Sequence, residues 1–176
     1  LGRQLTERIT GFDIFEGVMR ELDRREGSVF FLGSTPDTLD RIADKLTRDY
    51  PNVRLAGRLS PPFKATYSEM ENARMLAQIS KAAPDVLWVG MTAPKQEKWI
   101  AEVQPYLPVK FAGAIGAVFD FYSGKVKRSH PVFRQIGLEW LPRLVQQPRR
   151  LWRRMGVSAP IFLWDLFKAR VRGRDY

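Results

Sequence analysis

The chain of 176 residues carries 29 Lys and Arg against 19 Asp and Glu, a net charge of +10, with one His and no Cys. That length holds one domain, or one domain with an appendage, and a 44% hydrophobic fraction with 12% aromatics excludes disorder as a description of the whole. Without Cys there is no disulfide, thiol nucleophile or thiolate zinc site, and the single His130 excludes a multi-histidine metal centre.

Residues 12–24 place Phe12, Phe15, Val18, Met19 and Leu22 at helical spacing. Residues 28–32 (SVFFL) form a short apolar run ending at Gly33, the pattern of a strand buried on both faces. Thr35 and Pro36 then open a helix, with Thr as cap, Pro at the first position and Leu39, Ile42, Ala43 and Leu46 inward. Residues 52–56 (NVRLA) predict a second strand, followed by a Pro-rich loop over 57–66 and a helix over 68–82. Residues 85–90 (DVLWVG) are the clearest buried strand. The next helix opens at Pro94, with Trp99, Ile100 and Val103 inward, and a strand over 109–112 follows. The glycine-punctuated segment 113–124 reads as a loop holding Asp120 between Phe119 and Phe121.

Strands alternating with helices at this rhythm predict an α/β fold: a Rossmann-like, mostly parallel sheet with helices on both faces. Ligands of such sheets bind beyond the carboxyl ends of the strands. Gly33, Ser34, Arg58, Thr92 and Gly113 are predicted there. No GxGxxG or GxxxxGK[ST] motif occurs, which disfavours a standard dinucleotide or P-loop site. Gln96, in the first turn after Pro94, offers an amide that both donates and accepts, and Lys95 beside it suits phosphate. A carboxylate at Asp120 suits a ribose or base; a turn or helix cap is the equal alternative.

The charge divides the chain. Residues 1–124 hold sixteen basic and sixteen acidic side chains, whereas residues 125–176 hold thirteen basic and three acidic. The predicted organisation is an α/β domain over 1–125 and a basic helical appendage over 126–176. In the appendage Trp140, Trp152 and Trp164 interleave with Arg, an interfacial amphipathic pattern that an anionic membrane or a nucleic acid would equally satisfy. No charged leader precedes an apolar run, and the tail's apolar stretch 159–164 stops at Asp165, short of the ~20 residues a span needs.

The segments ITGFD (9–13), FFLGSTPDTLDRIADKLTRDYPNVRLAG (30–57), PDVLWVGMTAPKQEKWI (84–100), GAIGAVFDFYSGKVKRSHP (113–131) and GLEWLPRLVQQPRRLWRR (137–154) together resemble the WecG/TagA/CpsF glycosyltransferases, over nearly the whole chain and in order. The resemblance implies metal-free, cofactor-free, inverting transfer from a UDP-sugar to a polyprenyl-diphosphate-linked glycan at the cytoplasmic membrane face, in cell-surface polysaccharide synthesis. The implied sugar is N-acetylmannosamine, its uronic acid or glucose. By residue, it implies Gln96 on the donor sugar or diphosphate, Asp120 on the nucleoside, and Gly33 and Thr66 near the nucleotide. Arg8 would line the catalytic pocket, and Arg143, Arg150 and Arg153 would neutralise the leaving diphosphate. Trp152, Arg154 and Trp164 are the expected membrane contacts. Self-association is implied through some family members, and no nucleic-acid partner. The alternative is a nucleic-acid-binding or peripheral membrane-binding module with a basic tail. The resemblance also implies an N-terminal segment with a TxN motif and a catalytic Asp in a DG pair. No DG pair occurs in this sequence, which therefore reads as N-terminally truncated and as a fragment of low or no turnover.

Overall fold

Four parallel strands in the order β2-β1-β3-β4 form the centre of the computed structural model, which describes residues 9–126 together with Pro160, Ile161, Trp164, Asp165 and Lys168. The chain divides into two compact units, Leu1–Val126 and Lys127–Tyr176. In the first, the elements run α1 (Gly11–Arg24), β1 (Ser28–Gly33), α2 (Pro36–Asp49), β2 (Arg54–Leu59), α3 (Glu69–Ala82), β3 (Val86–Gly90), α4 (Lys95–Val103), β4 (Phe111–Ala114) and α5 (Ala117–Tyr122).

The two central strands show why their sequences lack polar alternation. Val29 and Phe31 of β1, with Val86 and Trp88 of β3, pack under α1, α2 and α5. The intervening Phe30, Leu32, Leu87 and Val89 pack under α3 and α4. Both faces are covered, so every residue of β1 and β3 is buried. Side chains fix the starts of α1, α2 and α3. Thr35 Oγ1 accepts the Thr38 N–H at 3.3 Å to open α2, ahead of Pro36. Ser68 and Glu71 cap α3 reciprocally, the Ser68 N–H reaching Glu71 at 2.8 Å and the Glu71 N–H reaching Ser68 Oγ at 3.4 Å. Thr10 and Asp13 of the ITGFD segment form the corresponding contact at α1, with the Thr10 N–H 2.8 Å from the Asp13 carboxylate.

Three expectations are corrected. The second strand does not stop at Ala56: Val29 faces Leu55 and Phe30 faces Gly57, so Ala56 is an extra residue in a bulge and the ladder continues to Leu59. Gly57 belongs there because a Cβ would stand 2.5 Å from the Phe30 ring. The fourth strand runs to Ala114, and Gly113 lies inside it, beneath Trp88, where a Cβ would come within 2.2 Å of the indole. Asp120 stands in a helix, since Val118, Phe119 and Tyr122 turn α5 onto the core.

In the second unit, Pro160, Ile161, Trp164, Asp165 and Lys168 are helical. Trp164 is 59% exposed, with the Lys168 ammonium 5.4 Å from its ring centre. Among the described residues no helix is long and apolar enough to cross a membrane.

Candidate functional site

The strand order dictates where a ligand fits. From β1 the chain turns outward through α2, on one face, to reach β2; from β3 it turns the other way through α4, on the opposite face, to reach β4. The loops leaving β1 and β3 therefore diverge, and this switch point is where open α/β sheets place their ligand crevice. Gly33 and Gly90 are paired there in the ladder.

The crevice is built from backbone. Gly33 has φ +113°, and a Cβ on it would lie 2.6 Å from the Gly90 carbonyl oxygen. Ser34 follows in the left-handed region at φ 58°, and its carbonyl accepts the Ser60 hydroxyl at 2.7 Å. Two consecutive residues with positive φ bend the chain sharply off β1, free of strain at Gly33 but strained at Ser34, and such strain clusters at functional loops. On the β3 side, a Cβ at Gly90 would stand 2.2 Å from the Phe119 ring, and one at Gly116 would stand 2.5 Å from the Met91 carbonyl oxygen.

Gln96 joins these pieces. Its side chain is 5% exposed. The Oε1 accepts the Gly116 N–H at 3.0 Å, and the Nε2 donates to Glu97 at 2.9 Å. The first turn of α4 is thereby tied to the entrance of α5, and Asp120 rides one residue after the Phe119 that covers Gly90. The Asp120 carbonyl accepts the Val126 N–H at 3.0 Å and the Ser123 hydroxyl at 3.2 Å. The structure thus brings Gly33, Gln96 and Asp120 to one end of the sheet.

Thr66 is exposed on the adjoining loop, between β2 and α3. That loop is fastened to the crevice by a lysine clasp. The Lys95 ammonium donates to the Lys64 carbonyl at 2.5 Å and sits 3.8 Å over the Tyr67 ring. The Tyr67 hydroxyl donates to the Met91 sulfur at 3.8 Å, and the Lys64 ammonium pairs with Glu71 at 2.5 Å. Burial lowers the Lys95 pKa, and the neighbouring Lys64 charge adds to this. Hydrogen bonding to Lys64 and Ser68 holds Glu71 down to about 2. Sequence reading singled out Lys95 but missed Tyr67 and Lys64, whose partners lie 24 and 31 residues away; only the Ser68–Glu71 capping pattern hinted that the loop is anchored.

Two other expected rim residues are otherwise engaged. Arg58 is committed to α2, 2.6 Å from Asp40. Thr92 is exposed, and its carbonyl accepts the Lys95 N–H at 2.9 Å. Arg8, Arg143, Arg150, Arg153, Trp152 and Arg154 lie outside the described residues. Among the described residues no cluster of three or more His, Asp or Glu side chains could hold a metal ion.

A groove of about 390 Å³ opens at the opposite end of the sheet, lined by Val18, Leu22, Arg25, Asp85 and Lys110 among others. Its charges satisfy one another: Asp85 pairs with Lys110 at 2.7 Å and accepts from the Ser28 N–H and hydroxyl at 2.8 Å, while Glu21 holds Arg24 and Arg25. Topology and strained backbone favour the switch-point crevice over this groove, despite the groove's volume.

A protein from Bacillus spizizenii, named N-acetylglucosaminyldiphosphoundecaprenol N-acetyl-beta-D-mannosaminyltransferase, is 32% identical over 171 residues, which are 96% of this chain and 62% of that protein. The Bacillus subtilis protein of that name is 30% identical over 165 residues (94% of this chain, 61% of the relative). The Staphylococcus aureus MW2 protein is 27% identical over 172 residues (97% and 64%). The chain therefore spans a little over three-fifths of the length of these relatives. The model of the Glycosyl transferase WecG/TagA/CpsF family matches residues 1–176, and the chain belongs to that family.

Proposed function

We propose that this chain supplies the donor-binding part of an inverting glycosyltransferase. It moves a sugar of the N-acetylmannosamine type, its uronic acid or glucose from a UDP-sugar to a polyprenyl-diphosphate-linked acceptor in cell-surface polysaccharide synthesis. The relatives' names state such an acceptor for those proteins. The observation that carries the reading is the paired approach of Gly33 and Gly90 at the switch point, flanked by Gln96 and by the helix bearing Asp120. Side chains are missing where a diphosphate needs to come close to backbone.

In this reading Asp120 accepts from the nucleoside, and Gly33 and Thr66 stand beside it. Gln96 donates its second Nε2 hydrogen to the donor sugar or diphosphate while holding Gly116. The acceptor hydroxyl loses its proton to a carboxylate base, which the family resemblance puts in a DG segment absent from this sequence. It then attacks the anomeric carbon as the bond to UDP breaks, inverting that centre. Charge grows on the departing diphosphate, and guanidiniums neutralise it without a metal. Arg143, Arg150 and Arg153 have that role, with Arg8 at the pocket wall. Trp152, Arg154 and Trp164 hold the basic unit on an anionic membrane at its cytoplasmic face, and members self-associate. The reading includes no nucleic acid, a partner that would leave the neutral charge of the first 124 residues unexplained.

Calorimetric titration with UDP tests the donor site. Binding is expected, and Asp120→Asn should weaken it about tenfold, the scale of a lost hydrogen bond to a charged group. UDP affinity that is absent, or equal in both chains, removes the nucleoside site from this position.

A further inference from the structure

We infer that the tip of the β2–α3 loop, Pro61, Pro62 and Phe63, is a second membrane contact that inserts into the interfacial layer of the bilayer and faces the switch-point crevice toward it. The inference rests on the proposed reading for the bilayer itself, where a polyprenyl-linked acceptor resides.

Phe63 is 96% exposed, the most exposed of the large apolar side chains described. Its surroundings argue against a loosely held loop. Ser60 is bonded to Ser34, Lys64 to Lys95 and Glu71, and Tyr67 to Met91. Both ends of the tip are thus fastened to the crevice, while the tip itself projects. Pro61 and Pro62 stiffen the chain leading to Phe63. They also have no N–H to strand in an apolar medium, where each unpaired donor is costly. An aromatic ring with a two-proline approach therefore enters the boundary between headgroups and acyl chains more cheaply than ordinary loop backbone does.

The rest of the surface points the same way. The α-helices described in the first unit, α1 to α5, each start at the carboxyl rim, because each runs back against parallel strands. Exposed Ile9 and Ile14 at the start of α1, and exposed Met70 at the start of α3, therefore share that rim with Phe63. Among the described residues, the exposed large apolar ones at the amino end are Tyr106 and Phe111.

The lack of Cys makes the test direct. In the 176-residue chain, Phe63→Cys and, separately, Lys81→Cys are labelled with an environment-sensitive fluorophore. Lys81 is exposed at the far end of α3 and serves as reference. Vesicles of phosphatidylglycerol and phosphatidylethanolamine are then added. Emission at position 63 should shift to the blue and brighten, and emission at 81 should not. Unlabelled Phe63→Ala should partition onto the vesicles about tenfold less than the parent, and Phe63→Trp should match it. The inference is overturned by vesicle binding with no change at 63, by equal changes at 63 and 81, by no vesicle binding, or by a label at 63 already buried without lipid. UDP titration of the labelled chain reads the nucleotide site separately, so loss of UDP binding with the shift at 63 intact condemns the transferase reading and leaves the membrane contact standing.

Discussion

Replacing Gly33 with Ala tests whether the crevice is set by backbone contact. Two costs add at this position. The φ of +113° lies where L side chains are strained, worth about 1–3 kcal/mol. The new methyl would also stand 2.6 Å from the Gly90 carbonyl oxygen, which belongs to a buried central strand and has little room to yield. Overpacking of that kind costs about 1–3 kcal/mol. The sum, roughly 2–6 kcal/mol, is a large part of the ~5–15 kcal/mol that holds a domain together. Gly124→Ala is the matched control: its φ is +75°, but no atom lies within 4 Å of the added Cβ. It should lose only the conformational part, about 1–2 kcal/mol. Urea unfolding followed by the fluorescence of Trp88 and Trp99, both buried, reads the two variants against the parent chain. Gly33→Ala should unfold at a clearly lower midpoint than Gly124→Ala and should lose UDP binding. Equal midpoints for the two variants would refute the claim that the strand ends are in contact.

Asp85 is held down to about 2 by Lys110 first and then by Ser28, from an ordinary value of 3.8. A lowered folded-state pKa stabilises above the unfolded value, and that stability is lost as pH falls from about 5 through 3.8 toward 2. Asp85→Asn should therefore cost roughly 1–2 kcal/mol near pH 7, a figure reduced for the exposure of Lys110, and the gap to the parent chain should close by about pH 2 in pH-dependent urea unfolding. A gap that does not change with pH would mean that the carboxylate charge is not what ties Ser28 to Lys110. In a chain extended to the length of its relatives, Arg150→Ala should lower turnover about 10²-fold with an unchanged unfolding midpoint, the loss typical of one donor to a transition-state charge. Turnover equal to the parent's would take Arg150 out of the mechanism.

The fold was legible where burial is simple. SVFFL and VLWVG are apolar without alternation because both sides of the central strands are covered, and a sequence shows that as a continuous run. It was obscured where a glycine does something other than turn the chain. Gly57 and Gly113 looked like strand ends, yet each sits inside a strand with an aromatic ring across the space where its Cβ would be. Gly116 does mark a change of direction, but the short helix after it was hidden by the spacing of glycines around Asp120. For the site, strand-end position and first-turn position were enough to single out Gly33 and Gln96. What Gln96 holds was not legible, because its partner Gly116 is 20 residues away in the chain. The clasp of Lys95 on Tyr67 and Lys64 was hidden for the same reason: a pairing across two loops has no period to follow.

The crowded glycines of the sheet and its carboxyl rim fall into two kinds, and the difference bears on function. At Gly57, Gly90 and Gly113 the obstacle to a side chain is an aromatic ring, so these positions answer to core packing and a neighbouring ring can shift in compensation. At Gly33 and Gly116 the nearest obstacle is a main-chain carbonyl oxygen, of Gly90 and Met91 respectively, which rotamer changes cannot move. Both of the second kind border the same crevice, one from the β1 side and one through Gln96 from the β3 side. A core needs rings to pack, but it does not need two pairs of backbones pressed together at one end of the sheet. Such closeness, with positive φ at Gly33 and Ser34, is the backbone arrangement on which the proposed diphosphate site rests.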